Sequence, residues 1–160
     1  MFNHILFATD LSESENAKAS QHAFKYAMEI AIPFKAKITL FHAYELLSSS
    51  VAGIYDLSYT TALQEIETSM EERAKLHLGT LKQQLDEARV DNDLLIARGH
   101  AGQLIVNAAE SNQCDLIIMG NRGLGPVSAM LMGSTSTYVL HHSHIPMLIV
   151  PMTANEESEK

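Results

Sequence analysis

The sequence predicts an α/β protein with a single doubly wound, five-stranded parallel sheet and helices on both faces. Two observations lead to this fold class. Short apolar runs of the kind that form buried strands alternate with longer segments of helical periodicity, in one pass of β-α-β-α-β-α-β-α-β. Right-handed crossovers between such strands favour a parallel sheet that is covered on both sides. At 160 residues with 46% hydrophobic content, the chain is long enough for one domain with a substantial core.

The first two strands flank a helix whose beginning and end are both marked in the sequence. Residues 4–9 (HILFAT) form an apolar run that stops at Asp10, and this run predicts the first strand. The S-x-x-E pattern of Ser12–Glu15 is a capping box, which begins a helix, and Pro33 ends the apolar stripe that follows. Residues 37–42 (KITLFH) are apolar and β-branched, so they predict the second strand.

The middle of the chain contains the longest predicted helix. Residues 46–59 include a serine run and a glycine, and we interpret them as loop-like. Apolar positions then recur on one stripe over residues 60–88, which predicts a long amphipathic helix. A third strand is predicted at residues 93–98 and a third helix at 102–111.

The last strand bears on assembly. The fourth strand is predicted at residues 115–119, the fourth helix at 133–142 and the fifth strand at 147–150. The segment Met147–Met152 is short and apolar and comes last in the topology, so we expect it at an edge of the sheet. Because an exposed apolar edge favours pairing with a second copy, we expect a homodimer through this strand.

The loop between the fourth strand and the fourth helix has the spacing G-x2-G-x9-G-S, from Gly120 through Gly123 to Gly133 and Ser134. Glycines leave backbone N–H groups bare, and a helix N-terminus attracts anions, so the loop is able to cradle phosphate oxygens. The hydroxyls of Ser134–Ser136 add donors at the same place. The spacing matches neither the P-loop nor the dinucleotide fingerprint. Spacing alone leaves open that the glycines only permit tight turns.

The sequence GNRGLGPVSAMLMGSTSTYVLHHSHIPMLIVP resembles the carboxy-terminal signature of the universal stress protein (UspA-like) family, in its ATP-binding branch. The segments ILFATDLS, LFHAYE and RGHAGQLIVNAAE resemble the same family in the same order. The resemblance implies a Rossmann-like, adenine nucleotide α-hydrolase-like fold over residues 1–151, followed by a polar tail at 152–160. It also implies dimerisation through the last strand.

The resemblance further implies a site for ATP, or for ADP or AMP, with Mg²⁺ or Mn²⁺. Asp10 matches the first-strand aspartate of the family, and Ala43 takes the place of the small residue against the base. The residues expected to contact the nucleotide are Thr9, Asp10, Ala43, Met119, Gly120, Asn121, Arg122, Gly123, Gly133, Ser134, Thr135 and Ser136. Read without the family, Asp10 is better explained by capping a turn and Met119 by the core, whereas a solvated loop position explains Arg122 equally well.

The implied function is that of an ATP-binding universal stress-type protein, a nucleotide-dependent regulatory or protective module with an unknown protein partner. Two alternatives stay open: a slow ATPase switch, and a nucleotide-free protein-interaction domain. The intact glycine spacing counts against the second. Since Arg122 is the only cation of the loop, we expect at most slow ATP hydrolysis and assign no catalytic residue.

Composition argues against several other functions. The net charge is −8 and basic residues do not cluster, so neither nucleic acid nor an anionic membrane surface is an expected partner. Cys114 is the only cysteine and we expect it to be a buried hydrophobe. His141, His142 and His144 have no nearby carboxylate or cysteine to complete a ligand set, so no protein metal site is predicted. We find no signal peptide and no apolar run of membrane-spanning length, so the expected location is the cytoplasm.

Overall fold

The computed structural model describes residues 1–11, 17–45, 57–121 and 133–151. Within these ranges the elements in chain order are β1 (His4–Ala8), α1 (Ala17–Phe34), β2 (Lys37–Tyr44), α2 (Leu57–Glu87), β3 (Asn92–Arg98), α3 (Ala101–Ser111), β4 (Leu116–Gly120), α4 (Ser134–His142) and β5 (Met147–Val150). The predicted capping box at Ser12–Glu15 and the predicted tail at 152–160 lie outside the described residues, so both stay predictions.

The five strands form one parallel sheet in the order β3-β2-β1-β4-β5. The chain runs outward from β1 to β3, then crosses back to the other side of β1 for β4 and β5. Strand order therefore reverses between β1 and β4, and Ala8 of β1 lies opposite Phe41 of β2 and Met119 of β4. The predicted doubly wound sheet is confirmed, and β5 lies at its edge as expected. Ligands in such sheets bind beyond the carboxyl ends of strands at this reversal.

Two apolar layers hold the helices to the sheet. Alternate strand residues point to opposite faces, so each strand contributes to both layers. Helices α1 and α2 cover one face, where the fully buried members include Ile5, Phe7, Ala27, Ile38, Leu40, Leu78, Leu85 and Ile118. Helices α3 and α4 cover the other face, where the most buried members are Leu6, Phe41, Ile105, Ala109, Ile117 and Val139.

Several predicted boundaries were wrong, most of them by one residue, and the structure explains three of them. β2 ends at Tyr44 and not at residue 42, because Ala43 and Tyr44 still pair with Ala97 and Arg98 of β3. α2 already begins at Leu57, so the loop-like prediction for residues 46–59 fails at its last three positions. The remainder of that stretch, 46–56, lies outside the described residues. α1 ends at Phe34, one residue after Pro33, because a proline so near the helix end disturbs little that follows.

Three helices end in the same way, with a non-glycine residue in the left-handed conformation. Lys35, Arg89 and Gln113 have φ values of 53°, 57° and 55°. After each of them, the next N–H donates to the carbonyl five residues back, at 3.0, 2.9 and 2.9 Å (Ala36 to Ala31, Val90 to Leu85, Cys114 to Ala109). This is the Schellman motif, which favours glycine at the left-handed position. Each of these residues therefore carries a backbone strain that glycine would avoid.

Gln113→Gly is expected to stabilise the protein by about 1 kcal/mol, because it removes the left-handed strain at the end of α3. For a chain of this size the melting temperature should rise by about 2–4 °C. Asn107→Gly, at an exposed position inside the same helix, is the matched control and should cost about 1 kcal/mol. Calorimetric melting of both variants checks this, and equal effects at the two positions would contradict it.

Candidate functional site

A cavity of about 190 Å³ opens at the carboxyl ends of β1, β2 and β4. It lies where strand order reverses, and the first turns of α3 and α4 close its sides. The described residues that line it are Ala8, Thr9, Asp10, Leu11, Ala19, Ser20, Phe41, His42, Ala43, Ala101, Ile105, Met119, Gly120, Asn121, Gly133, Ser134, Thr135 and Ser136. All predicted site residues that the structure describes are on this wall. Arg122 and Gly123 lie outside the described residues, so their roles stay predictions.

Part of the wall is apolar and built from small side chains. Ala8 ends β1, Ala43 lies near the end of β2, and Ala101 begins α3. Ile105 and Met119 are only 3% and 7% exposed and join this wall to the core beneath α3 and α4. Because alanines leave room where larger side chains would fill the cavity, this part can hold a flat apolar group such as a heterocyclic base.

The first turn of α4 supplies hydrogen-bond donors. Gly133 is the N-cap, with φ −60° and ψ 156°, and among the described residues no side-chain hydrogen bond caps the helix. The first N–H groups of any helix have no partner within the helix. In α4 these are the N–H groups of Ser134–Ser136, three residues that line the cavity. The Ser136 hydroxyl donates to the Gly133 carbonyl at 3.0 Å, so its hydrogen is occupied and its lone pairs are left. Bare N–H groups and the positive end of the helix favour an anion.

Asn121 follows β4 directly and is only 7% exposed. Its backbone N–H donates to the carbonyl of Val150 at 2.7 Å, which continues the pairing of β4 with β5 by one residue. Its side-chain Oδ1 is buried and has no hydrogen-bond partner among the described residues. Native structures rarely leave a buried acceptor unpaired, so this oxygen requires an explanation.

Hydrogen bonds at the ends of β1 and β2 fix the backbone of the cavity wall. The Thr9 hydroxyl donates to the Asp10 carbonyl at 3.0 Å and lies 2.6 Å from the Ser20 hydroxyl. Since Thr9 has a single hydroxyl hydrogen, Ser20 is the donor in the second bond. The imidazole Nδ1 of His42 lies 2.9 Å from the Thr9 carbonyl oxygen and must carry the hydrogen. Thr9 therefore holds the wall together and has no hydroxyl hydrogen left for a ligand, and His42 fixes the Thr9 backbone.

Gly120 is required by a close approach of two backbones. A Cβ atom built on it would lie 2.8 Å from the carbonyl carbon of Ala19 and 3.0 Å from the Ser20 nitrogen, both in α1. Contacts this short force the backbone to move. Proximity to α1 alone therefore excludes a side chain at Gly120, which the sequence did not indicate.

The charge of the described wall is negative or neutral. Asp10 is its acidic residue, and this part of the wall contains neither lysine nor arginine. The helix N-terminus is therefore its one feature that attracts an anion. A phosphate bound there would also be stabilised by a cation brought from solution.

Sequence reasoning missed Ser20, Ala101 and Ile105, which also line the cavity. Each lies within the first two turns of a helix, and no motif or spacing marks these positions. Their place on the wall follows from how α1 and α3 pack on the sheet.

Cys114 lies away from the cavity, just before β4, and is 6% exposed. Burial raises the pKa of its thiol to about 11, so it is a buried hydrophobe as expected and not a nucleophile at neutral pH.

We expect Cys114 in the folded protein to react with a maleimide at pH 7.5 at least ~100-fold more slowly than in the unfolded chain, since two pKa units reduce the thiolate about a hundredfold. Timed labelling followed by mass spectrometry checks this, and equal rates would contradict it.

His142, at the end of α4, has a structural explanation. The His142 ring stacks on Tyr138, with the ring centroids 3.9 Å apart, and its Nδ1 lies 2.8 Å from the Tyr138 carbonyl oxygen.

Within the described ranges, no helix is both long enough and apolar enough to cross a membrane.

The fold and its cavity define the class of protein: a doubly wound α/β domain with a cavity at the reversal of its strand order. The chain belongs to the universal stress protein family, because the sequence model of the Universal stress protein family matches residues 1–151.

Individual proteins agree with this assignment. A universal stress protein from Thermus aquaticus is 30% identical over 155 residues, which cover 94% of this chain and 99% of the relative. A universal stress protein family member from Arabidopsis thaliana, solved with AMP bound, has a TM-score of 0.70 at 18% identity and covers 99% of this chain and 97% of its own. A universal stress protein solved in complex with cAMP has a TM-score of 0.61 at 20% identity, with 95% of this chain and 98% of its own covered.

Proposed function

We propose that this protein binds an adenine nucleotide, ATP or its products ADP and AMP, in the cavity at the reversal of strand order. The bound nucleotide makes it a regulatory or protective module in the response to stress. The observation that carries this proposal is the composition of one cavity wall. It combines small apolar side chains, suited to a base, with the bare N-terminus of α4, suited to phosphate.

Two further observations support an adenine nucleotide. Two family members of the same fold were solved with AMP and with cAMP, ligands that share the adenine base and a phosphate. The Asp10 carboxyl lies at the same cavity and is the kind of acceptor that ribose hydroxyls use.

A divalent cation fits this site as the companion of the phosphates. The Asp10 carboxylate is the kind of hard oxygen ligand that Mg²⁺ and Mn²⁺ prefer, and Mg²⁺ is commonly held by one or two carboxylates together with substrate phosphates. Such a cation would supply the positive charge that the described wall lacks.

Identifying the nucleotide that the protein carries tests the proposal. Freshly purified protein is denatured, and the released small molecules are separated and identified by mass spectrometry. We expect close to one adenine nucleotide per chain, or, for protein purified empty, saturable binding of ATP by calorimetry and a rise in melting temperature. Release of nothing, with no binding and no thermal shift, would leave the protein-interaction domain as the better reading. Slow phosphate release that falls in Asp10→Asn would identify the slow ATPase.

We also propose that two copies pair through β5. This strand lies at the edge of the sheet, where the side not bonded to β4 is open in the described part of the chain. An open edge with apolar residues favours pairing with the same strand of a second copy. Light scattering should give twice the chain mass of 17.6 kDa at micromolar concentration, and the mass of a single chain would refute the pairing.

A further inference from the structure

The unpaired Oδ1 atom of Asn121 is a polar atom that the fold alone does not explain. It is buried, has no partner among the described residues, and belongs to a residue that is only 7% exposed. A buried acceptor without a hydrogen bond loses its water and gains nothing in return, so it lowers the stability of the protein. A leucine of similar size at this position would avoid that cost. The polar group is therefore kept for a reason other than folding.

The position of Asn121 points to the ligand. Side chains alternate along a strand, and Met119, two residues earlier, packs in the layer beneath α3 and α4. The backbone bond from Asn121 to Val150 continues the ladder, so the Asn121 side chain lies on that same side, the side of α4. Asn121 and the first turn of α4 line the same cavity.

The chemistry of the neighbouring groups selects what the oxygen can bind. The bare N–H groups of α4 are donors and suit phosphate oxygens, whereas Asn121 Oδ1 and the Ser136 hydroxyl oxygen are acceptors. A phosphate oxygen without a hydrogen would repel another acceptor. The group that meets Asn121 must therefore be a hydrogen-bond donor, and the O–H donors of a nucleotide complex are the ribose hydroxyls and the water molecules held by its cation.

We propose that Asn121 accepts a hydrogen bond from an O–H group of the bound nucleotide complex and thereby helps to determine which ligand the cavity selects. The O–H group belongs to a ribose hydroxyl or to a water molecule held by the divalent cation. This inference rests on the proposed function and deepens it. It makes Asn121 a specificity residue that lowers stability in the empty protein and raises affinity in the complex.

The experiment compares three variants. Asn121→Leu keeps the size of the side chain and removes the acceptor, whereas Asn121→Asp keeps acceptors and removes the amide donors. Asn107→Leu, at an exposed position of α3, is the matched control. Melting of the empty proteins is recorded first, and calorimetry then measures binding of adenosine, of ATP with EDTA and of ATP with Mg²⁺.

Asn121→Leu is expected to raise the melting temperature of the empty protein by about 2–4 °C, because it removes a buried unpaired acceptor. The same variant should weaken ligand binding about tenfold, the value of one hydrogen bond. Asn121→Asp should retain more affinity than Asn121→Leu for the ligand that shows the loss, and Asn107→Leu should change neither quantity. A purely structural role predicts the opposite sign for the melting temperature, since removal of a structural group lowers it.

The three ligands separate the two sources of the O–H group. A loss of affinity in Asn121→Leu that is already present with adenosine identifies a ribose hydroxyl. A loss that appears only with ATP and Mg²⁺ identifies metal-bound water. A loss that is absent with adenosine but present with ATP both in EDTA and with Mg²⁺, and shared by Asn121→Asp, would mean that the amide donates to phosphate, which overturns the inference.

Failure of the inference and failure of the proposed function have different outcomes. Unchanged affinity of Asn121→Leu for every ligand, beside normal binding by the wild type, would overturn the inference and leave nucleotide binding intact. If the wild type binds neither adenosine nor ATP, both fail together. If Asn121→Leu does not fold, Asn121→Asp decides alone. A loss of affinity in Asn121→Asp that is as large as the loss caused by a substitution at the N-terminus of α4 would then overturn the acceptor role.

Discussion

Ser134→Asp is expected to raise the Kd for ATP about a hundredfold while the protein stays folded. Ser134 is the first residue of α4, its side chain is exposed, and it lines the cavity beside the bare N–H groups. A carboxylate there takes the place of the phosphate at the positive end of the helix and repels it. A hundredfold loss corresponds to about 2.8 kcal/mol, less than the ~4 kcal/mol between two unit charges 4 Å apart near a protein surface.

The same substitution should leave the melting temperature unchanged or slightly raised, because an acidic residue in the first turn of a helix suits its dipole. Ser69→Asp, at an exposed position in the middle of α2, is the matched control and should bind ATP normally. Adenosine carries no phosphate, so its affinity should fall far less than that of ATP in Ser134→Asp. Equal losses for the two ligands, measured by calorimetry, would show that phosphate does not bind at α4.

The fold could be predicted from sequence because its signals are local. Runs such as HILFAT and LIIMG are too apolar for a surface position and too short for a helix, and they alternate with helical stripes. Once the strands are parallel, their carboxyl ends must meet along one edge. Asp10 and Gly120 were for that reason expected in one crevice, and both line the cavity.

The wall of the cavity could be predicted only in part. Ser20 and Ile105 lie on helices, and which side of a helix faces a cavity depends on packing angles that no short motif encodes. Thr9 was placed correctly at the cavity, but its hydroxyl hydrogen goes to the Asp10 carbonyl. Sequence reasoning identifies the residue at a site more readily than the bond it makes, since the bond depends on neighbours from distant parts of the chain.

Gly120 is a second residue whose position was predicted but whose contacts were not. Its substitution by alanine has the largest expected effect on stability. Gly120→Ala is expected to destabilise the protein by about 3 kcal/mol, in the range of overpacked cores, and to lower the melting temperature by about 6–12 °C. The added Cβ meets backbone atoms of Ala19 and Ser20, 2.8–3.0 Å away, and a backbone in a helix cannot rotate aside as a flexible side chain can.

Because Ala19 and Ser20 also line the cavity, the shift of α1 in Gly120→Ala should weaken nucleotide binding as well. Gly79→Ala is the matched control: Gly79 is exposed within α2, and a Cβ there meets nothing within 4 Å. Alanine is the better helix former, so the control should gain about 1 kcal/mol. Chemical denaturation of the two variants tests this contrast of sign. A Gly120→Ala protein as stable as the wild type would mean that α1 can move away from β4 without cost, and the close approach would then not be what requires glycine at the end of this strand.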